Sequence, residues 1–406
     1  MKLLQINSVV NSGSTGRIAE QIGLTAQRAG WESYIAYGRN ASNSQSNLIK
    51  IGNKADVLWH GVMSRFLDAH GRGSRCATRK FVDVIREINP DIIHLHNIHG
   101  YYLNYEILFK YLKQANIPVV WTMHDCWPLT GHCAYFDYVR CELWKTNCRN
   151  CVNKLEYPST IGIDCSRYNH ESKLKQFNSI KNMTLVPVSK WLADVVSVSR
   201  LNNAKVQVIN NGIDLSQFNI QDTSGVMAMR ERLGLHDERV LLGVTNCWDR
   251  RKGLNDFVRL SKRVPNNWKI VLVGLTDDQI KELPRNIIGV KRTESVQQLA
   301  IIYSMASVFV NLTYEDTYPT TNLEAIACGT PVVTYRTGGS PESISPDTGF
   351  VVDQGDLTGV VDAVKNVLEQ DREMYRKTCR TYAEMNFNME DKFQEYIDLY
   401  NVILNK

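Results

Sequence analysis

Short β-branched runs alternate with helical patterns from one end of this chain to the other, and that rhythm limits the fold more than any other feature. KLLQINSV (2–9) leads into a helical pattern at 15–29. YIAYG (34–38), DIIHLHN (91–97), PVVWTMH (118–124), TLVPVS (184–189) and KVQVIN (205–210) read as further buried strands, with helical patterns between them at 78–88 and 104–115. A second series comprises VLLGVTN (240–246), KIVLVG (269–274), IIGVKR (287–292), SVFVNL (307–312) and PVVTYR (331–336), and helical patterns at 371–386 and 390–404 close the chain. Apolar strands with intervening helices predict α/β units, each a doubly wound parallel sheet covered on both faces. At 406 residues the chain exceeds one ordinary core and suits two such domains. The polar stretch NGIDLSQFNIQDTSG (211–225) reads as the linker. The expected domains are 1–200 and 201–387, with 388–406 as a candidate return to the first. Ligands of such sheets bind outside the carboxyl ends of the strands, so a central cleft is the expected site.

Charge and composition narrow the partners. A net charge of +5 fits anionic small ligands such as nucleotide diphosphates and lacks the dense basic runs of a nucleic-acid arm. No nucleic acid is expected. The opening MKLLQINSVVNSG has no long apolar region and no small-residue cleavage site, so it reads as a strand and not a signal peptide. No run approaches the roughly 18 apolar residues of a membrane span. A cytoplasmic protein is expected, with peripheral contact at the inner membrane face as a further option. The segment 53–80 supplies a reason for that option. It mixes Trp59, Val62, Met63, Phe66 and Leu67 with Arg65, Arg72, Arg75, Arg79 and Lys80. Such a mixture suits anionic head groups or a lipid-linked acceptor; it also suits an amphipathic helix on the first domain followed by a solvated basic loop.

The most specific stretch is TYEDTYPTTNLEAIACGTPVV (313–333). A buried strand ends in the acids Glu315 and Asp316. Pro319 stops the strand, Thr320 or Thr321 is placed to cap a helix running to Cys328, and Gly329 with Pro331 ends it. The amino end of that helix, with Thr320, Thr321 and Asn322, offers backbone N–H groups and a positive dipole to a diphosphate. Glu324 lies one turn in, where a carboxylate can accept from ribose hydroxyls, and Asp316 precedes it on the incoming loop. RRKG (250–253) follows the first strand of the second series and places Arg250, Arg251 and Lys252 in one basic turn. In NSGSTGRIAEQI (11–22), Gly13 and Gly16 let the backbone approach a phosphate or sugar at a helix mouth. His94, His96 and His99 cluster at one strand end and His124-Asp125 at the next; a lone His is usually a satisfied core residue, but so many imidazoles at two adjacent strand ends favour a functional role over a structural network.

The 313–333 stretch resembles the acid-x7-acid region of the retaining glycosyltransferases of family 4, which have the GT-B fold of two Rossmann-like domains. The resemblance places the family's second Glu on Glu324 and its first on Asp316, with Glu315 as the adjacent alternative. Lys252 matches the family Lys that, with an Arg, would neutralise the departing diphosphate. The family Arg normally precedes that Lys by five residues, where this chain has Cys247, so Arg250 or Arg251 is left to supply the guanidinium. NNGID (210–214) resembles the segment entering the second domain. HLHNIHGYYLN (94–104), HDCWPLTGHC (124–133) and EDTYPT (315–320) resemble the polysaccharide-assembly subgroup of the colanic-acid type, over nearly the whole chain. The resemblance implies a donor-binding second domain and an acceptor-binding first domain. It implies a nucleotide-diphosphate-sugar donor, a glycan or lipid-linked saccharide acceptor, and a role in bacterial surface polysaccharide synthesis. His124 would contact the transferred sugar, and Asp125, His99 and Asn104 would serve the acceptor. The implied chemistry is hexosyl transfer with retention, needing no cofactor. A sugar-nucleotide isomerase or phosphorylase, or a non-catalytic sugar-nucleotide sensor, are the competing classes; the intact Lys252 and acid pair weigh against both.

Ten cysteines are many for a reducing compartment. Cys133, Cys141, Cys148 and Cys151 fall in one polar, loop-like segment and end in a C-x2-C pair, which makes a closed structural zinc site a candidate, with His132 and Cys126 as substitutes. Ordinary packing or a disulfide would also account for them.

Overall fold

Burial on both faces shapes the sheets. The computed structural model describes residues 1–405 and divides the chain into two units, Met1–Asn210 with the segment from Lys392 on, and Asn211–Asp391. The first unit holds β1 (Lys2–Asn7), β2 (Glu32–Tyr37), β3 (Asn47–Lys50), β4 (Ile92–Leu95), β5 (Val119–Met123), β6 (Met183–Pro187) and β7 (Lys205–Val206). Their order is β3-β2-β1-β4-β5-β6-β7, all parallel. Every residue of β4, β5 and β6 is buried. Strand order reverses between β1 and β4, where Leu3 pairs with Ile92 and Ile6 with Leu95. The turns after those two strands therefore flank the point where ligands enter such sheets.

The last helix, Met389–Ile403, brings the chain end back to this unit. Its buried Tyr396 accepts from Thr122 Oγ1 at 3.0 Å, Tyr400 shares a 2.6 Å hydrogen bond with His94 Nδ1, and the Tyr400 ring lies 5.6 Å from that of Trp31.

The second unit holds β8 (Arg239–Val244), β9 (Trp268–Val273), β10 (Ile287–Val290), β11 (Val308–Asn311), β12 (Val332–Tyr335) and β13 (Gly349–Val352), in the order β10-β9-β8-β11-β12-β13. All pairs are parallel, and the order reverses between β8 and β11. Leu241, Leu272, Val310, Val333 and Val364 fill its core.

Three sequence expectations change, and two strands go unread. The stretch 211–225 is a packed part of the second unit and not a free linker: Ile213 N–H donates to Phe387 O at 2.8 Å, Met389 N–H donates to Ile213 O at 3.1 Å, and a helix starts at Thr223. The segment 53–80 carries two helices, Lys54–Leu67 and Arg75–Ile88, in place of one helix and a loop. Asp68 and Ser74 take left-handed backbone conformations in the break between them. KVQVIN is a strand over only Lys205–Val206, both exposed at the sheet edge, although Gln207 and Ile209 N–H still donate to Leu185 O and Pro187 O of β6. The strands β3 and β13 carry too little apolar alternation to stand out: β3 is an exposed edge, and β13 is four residues long.

Candidate active site

The two loops at the switch point of the second unit are built onto each other. After β8, the Asp249 carboxylate caps a single 3-10 turn, Arg250–Lys252, accepting from the N–H groups of Arg251 at 2.9 Å and Lys252 at 3.2 Å. Gly253 follows with φ +75, and a Cβ there would lie 2.2 Å from Leu312 O at the end of β11. Only glycine lets the turn press so closely on the neighbouring strand. Tyr314 N–H then donates to Arg251 O at 2.7 Å, fixing the loop after β11 against the basic turn. Gly253→Ala is expected to destabilise this unit by about 1–3 kcal/mol from the backbone conformation alone, and to loosen both loops. Chemical denaturation with nucleotide titration checks this; wild-type stability and affinity would refute the docking account.

This docking brings Lys252 Nζ to 2.9 Å from Asp316 Oδ2. Arg251 pairs with Asp249 at 2.8 Å and lies 3.9 Å from Glu315 Oε2. The two adjacent acids differ sharply: the Glu315 side chain is 1% exposed and that of Asp316 20%. Asp316 is thus the acid that a ligand can reach alongside Lys252. Arg250 is exposed and neighbours the same turn. Cys247 is exposed and its carbonyl accepts from Thr245 Oγ1 at 3.3 Å.

The helix after Asp316 spans Thr320–Ala327. Neither threonine caps it, as the sequence had suggested. Pro319 occupies the cap position and has no side-chain oxygen to offer, so Thr320 and Thr321 sit in the first turn, whose N–H groups have no side-chain cap. Glu324 is buried, and the Tyr303 hydroxyl donates to its Oε2 at 2.8 Å, orienting the carboxylate. The Asn322 side chain is not placed for a ligand. It is fully buried, donates to Ser340 Oγ at 2.9 Å and Ser343 Oγ at 3.0 Å, and accepts from Asn311 Nδ2 at 2.8 Å. Its amide ties the helix to β11 and to the 3-10 turn Ser340–Ser343 that follows β12.

In the first unit, Gly13 opens the helix Gly13–Arg28 with φ +63 and open space where a side chain would be. Gly16 sits against the turn after β1, where a Cβ would lie 3.1 Å from Val9 Cγ2. Burial pushes the His94 and His96 rings well below the ordinary histidine range and His124 to about 4, so all three are neutral near pH 7. Their hydrogen bonds then fix the protons. Gln5 Nε2 donates to Ala19 O at 2.8 Å, which turns Gln5 Oε1 toward His96 Nε2 at 3.0 Å. His96 must donate there, so its Nδ1 accepts from His124 Nε2 at 3.1 Å. His124 is half-buried, and its ring stacks on that of His96 with centroids 5.4 Å apart. His94 and His96 themselves belong to the core network.

Asp125 Oδ2 lies 2.8 Å from His99 Nε2, and its Oδ1 accepts from Trp127 N–H at 2.9 Å. Burial alone would raise the Asp125 pKa, but the His99 ring and the Trp127 N–H outweigh it and hold the carboxyl below its ordinary value. The Tyr157 hydroxyl stands 3.0 Å from His99 Nδ1. Tyr157 and Tyr303 complete these sites without any sequence signal, because each meets its partner only through the fold. Asn104 is a correction: it is fully buried as a helix cap, accepting from Ile107 N–H at 3.0 Å, and its amide donates to Arg72 O.

Cys133, Cys148 and Cys151 gather in the loop beyond β5, with Cys133 and Cys151 in thiol contact. Among the described residues no three His, Cys, Asp or Glu side chains stand at the spacing of a metal site. Also among them, no helix is long and apolar enough to cross a membrane.

Comparisons with known proteins bear on both units. The family model Glycosyltransferase Family 4 matches residues 15–217, and Glycosyl transferases group 1 matches residues 238–370. The putative colanic acid biosynthesis glycosyl transferase WcaC of Escherichia coli (strain K12) is 22% identical, over 98% of this chain and 99% of its own. Sucrose-phosphate synthase from Thermosynechococcus elongatus superposes with a TM-score of 0.71 at 18% identity, covering 100% of this chain and 99% of its own. Anabaena Alr3699/HepE, in complex with UDP-glucose, superposes with a TM-score of 0.68 at 13% identity, over 99% of this chain and 100% of its own. The architecture of two parallel-sheet α/β domains is the GT-B fold.

Proposed function

Since this chain belongs to glycosyltransferase family 4, we propose that it transfers a hexosyl group, with retention of anomeric configuration, from a nucleotide-diphosphate sugar to a saccharide acceptor. The observation that carries this reading is the Lys252–Asp316 pair, held at 2.9 Å beside the uncapped amino end of the Thr320–Ala327 helix. The helix end and Lys252, with Arg251 or Arg250, grip the diphosphate. Glu324 accepts from the ribose and Asp316 from hydroxyls of the sugar. As the bond from the anomeric carbon to the diphosphate breaks, negative charge grows on the leaving oxygen and these cations stabilise it. The acceptor hydroxyl attacks on the face the diphosphate leaves, and a phosphate oxygen takes its proton, so no protein nucleophile is needed. His124 contacts the transferred sugar, and His99 with Asp125 serves the acceptor. Gly13 and Gly16 shape the mouth of the first unit.

The UDP-glucose complex of HepE and the colanic acid role in the name of WcaC support a UDP-sugar donor and a surface-polysaccharide acceptor. A thermal-shift panel of UDP-, GDP-, ADP- and TDP-sugars identifies the nucleoside. Proton NMR of the product then reads the anomer: an α-linked donor is expected to give an α-linked product. An inverted product would refute the mechanism.

A peripheral contact with an anionic bilayer fits the helix Lys54–Leu67. Leu58, Trp59 and Phe66 on it are 71%, 63% and 53% exposed. Ile161 and Ile163 lie beside its end, donating their N–H groups to Arg65 O at 2.9 Å and Phe66 O at 3.2 Å. Arg75, Arg79, Arg86, Lys110, Lys113 and Lys175 line a groove between helices of the same unit, against Asp83, Glu106 and Glu171. Apolar side chains backed by excess positive charge suit anionic head groups. Flotation with anionic liposomes is expected, and Trp59→Ser with Phe66→Ser is expected to abolish it. Equal flotation of that variant would remove the contact from this helix.

A further inference from the structure

We propose that Arg230, Arg239, Arg372 and Arg376 form a second anion site, for a small phosphate-bearing effector, at the amino ends of the strands of the second unit. Arg230 comes from the helix Thr223–Arg232 and Arg239 opens β8. Arg372 and Arg376 lie one turn apart on the helix Arg372–Asn386. All four line a cavity of about 320 Å³. A second cavity of about 150 Å³ shares Arg239, Ser307, Arg372 and Arg376 with it.

The sheet separates this site from the donor site. Arg239 begins β8, Ser307 directly precedes β11, and Pro331, on the wall of the smaller cavity, directly precedes β12. The Arg250–Lys252 turn and the loop to Asp316 follow the other ends of β8 and β11. In a parallel sheet those are opposite edges, a strand length apart. An occupant among the arginines therefore does not compete with the donor.

The cluster lacks a counter-ion. Asp237 and Glu238 also line the larger cavity, yet among the described residues none of the four arginines forms an ion pair. The Glu238 carboxylate accepts from His236 N–H at 2.7 Å. Arg230 spends donors on carbonyls, with Nε to His236 O at 3.1 Å and Nη2 to Glu238 O at 2.9 Å. Arg372 Nη2 lies 3.4 Å from both Ser304 O and Met305 O. The side chains of Arg239 and Arg376 make no hydrogen bond among the described residues. Like charges four apart on a helix repel, and here two more face them. Desolvation of the guanidinium, then the charges of Arg376, Arg230 and Arg239, lower the Arg372 pKa, with Glu373 opposing. An anion seated among them relieves that repulsion.

A buried hydroxyl points to the same kind of ligand. Ser307 is 8% exposed and lines both cavities. Its Oγ accepts from Val240 N–H at 3.1 Å, and no described group accepts its proton. The walls thus offer guanidinium forks and a hydroxyl donor, which match the acceptor oxygens of phosphate. Four guanidiniums against Asp237 and Glu238 leave a charge of about +2, the complement of a phosphate monoester. A cavity of this size takes a small molecule.

The test is calorimetric titration of the full chain with pyrophosphate, inorganic phosphate and glucose 6-phosphate. The buffer is free of phosphate and sulfate, at about 0.15 M salt, where exposed charges are screened. Arg239→Gln with Arg376→Gln is expected to weaken the tightest of these by about tenfold or more. Circular dichroism and nucleotide binding at the donor site should stay as in the native protein. Lys252→Ala should keep the binding, which separates it from the diphosphate grip proposed above. Glucose 6-phosphate binding tightest supports the site and identifies a phosphate ester as its occupant; pyrophosphate or phosphate binding tightest supports it with a free phosphate. If the double arginine variant fails to fold, native crystals soaked in tungstate should show an anomalous peak bounded by Arg239, Arg372 and Arg376. Native affinity in the double arginine variant, no binding of any of the three probes, or a tungstate peak at the Arg250–Lys252 turn alone would each overturn the proposal. Binding lost in Lys252→Ala and kept in the double arginine variant would overturn it as well.

Discussion

Lys252→Ala is expected to lower kcat by about 10²–10³-fold, the loss typical of removing one preorganised donor from developing charge. The side chain is already positioned before any ligand arrives: Gly253 and the Asp249 cap set the turn, and Asp316 holds the ammonium at 2.9 Å. A diphosphate entering beside it exchanges one anionic partner for a stronger one, and the interaction strengthens as the glycosidic bond breaks. The loss should therefore fall on kcat more than on KM. Lys252→Arg should recover only part of it, because a planar guanidinium cannot reproduce a point ammonium on the same stem. Glu324→Ala should act differently, raising KM for the donor through the lost ribose contact, and it also leaves the buried Tyr303 hydroxyl without its acceptor. Circular dichroism should show both variants folded. Wild-type kcat in Lys252→Ala would remove the diphosphate from this turn.

The first unit is expected to lose stability as pH falls from about 6.5 toward 4, while the second does not share this loss. Burial pushes His60 and His124 down to about 4, and His70, His94 and His96 lie well below the ordinary histidine value. Their folded pKa values are lower than the unfolded ones. Between the two values the unfolded chain binds more protons, so stability rises with pH across that window and is lost on acidification. One pKa unit corresponds to about 1.4 kcal/mol, and several such groups acting together outweigh a typical margin of stability. His132, whose pairing with Asp68 raises its pKa, works in the opposite sense and offsets a small part. The second unit contains only His236, which is exposed. Tryptophan fluorescence with calorimetry from pH 7 to 4 should show one unit melting ahead of the other. A pH-independent first transition would mean that these imidazoles carry protons in the folded state.

The strand pattern was legible because buried parallel strands are continuous apolar runs, and β4, β5, β6, β8, β9, β11 and β12 are of that kind. The basic turn and the acid-containing loop were legible as residue types at spacings, and the switch-point topology explains why they meet. What sequence could not separate were neighbours of the same chemistry. Glu315 and Asp316 differ only in which way the backbone turns them, one into the core and one toward Lys252. Asn104 and Asn322 look like ligand contacts in a motif, yet both are spent on helix ends and turns. The tautomer of His124 depends on Gln5 through His96, a chain of contacts that no local pattern encodes.

The most direct test is a crystal structure with an intact nucleotide-diphosphate sugar or its unreactive analogue. The account predicts the diphosphate between Lys252 Nζ and the N–H groups of Thr320 and Thr321, the ribose on Glu324, and the sugar hydroxyls on Asp316. Nucleotide density elsewhere, with the Arg250–Lys252 turn and the Thr320–Ala327 helix end empty, would contradict it.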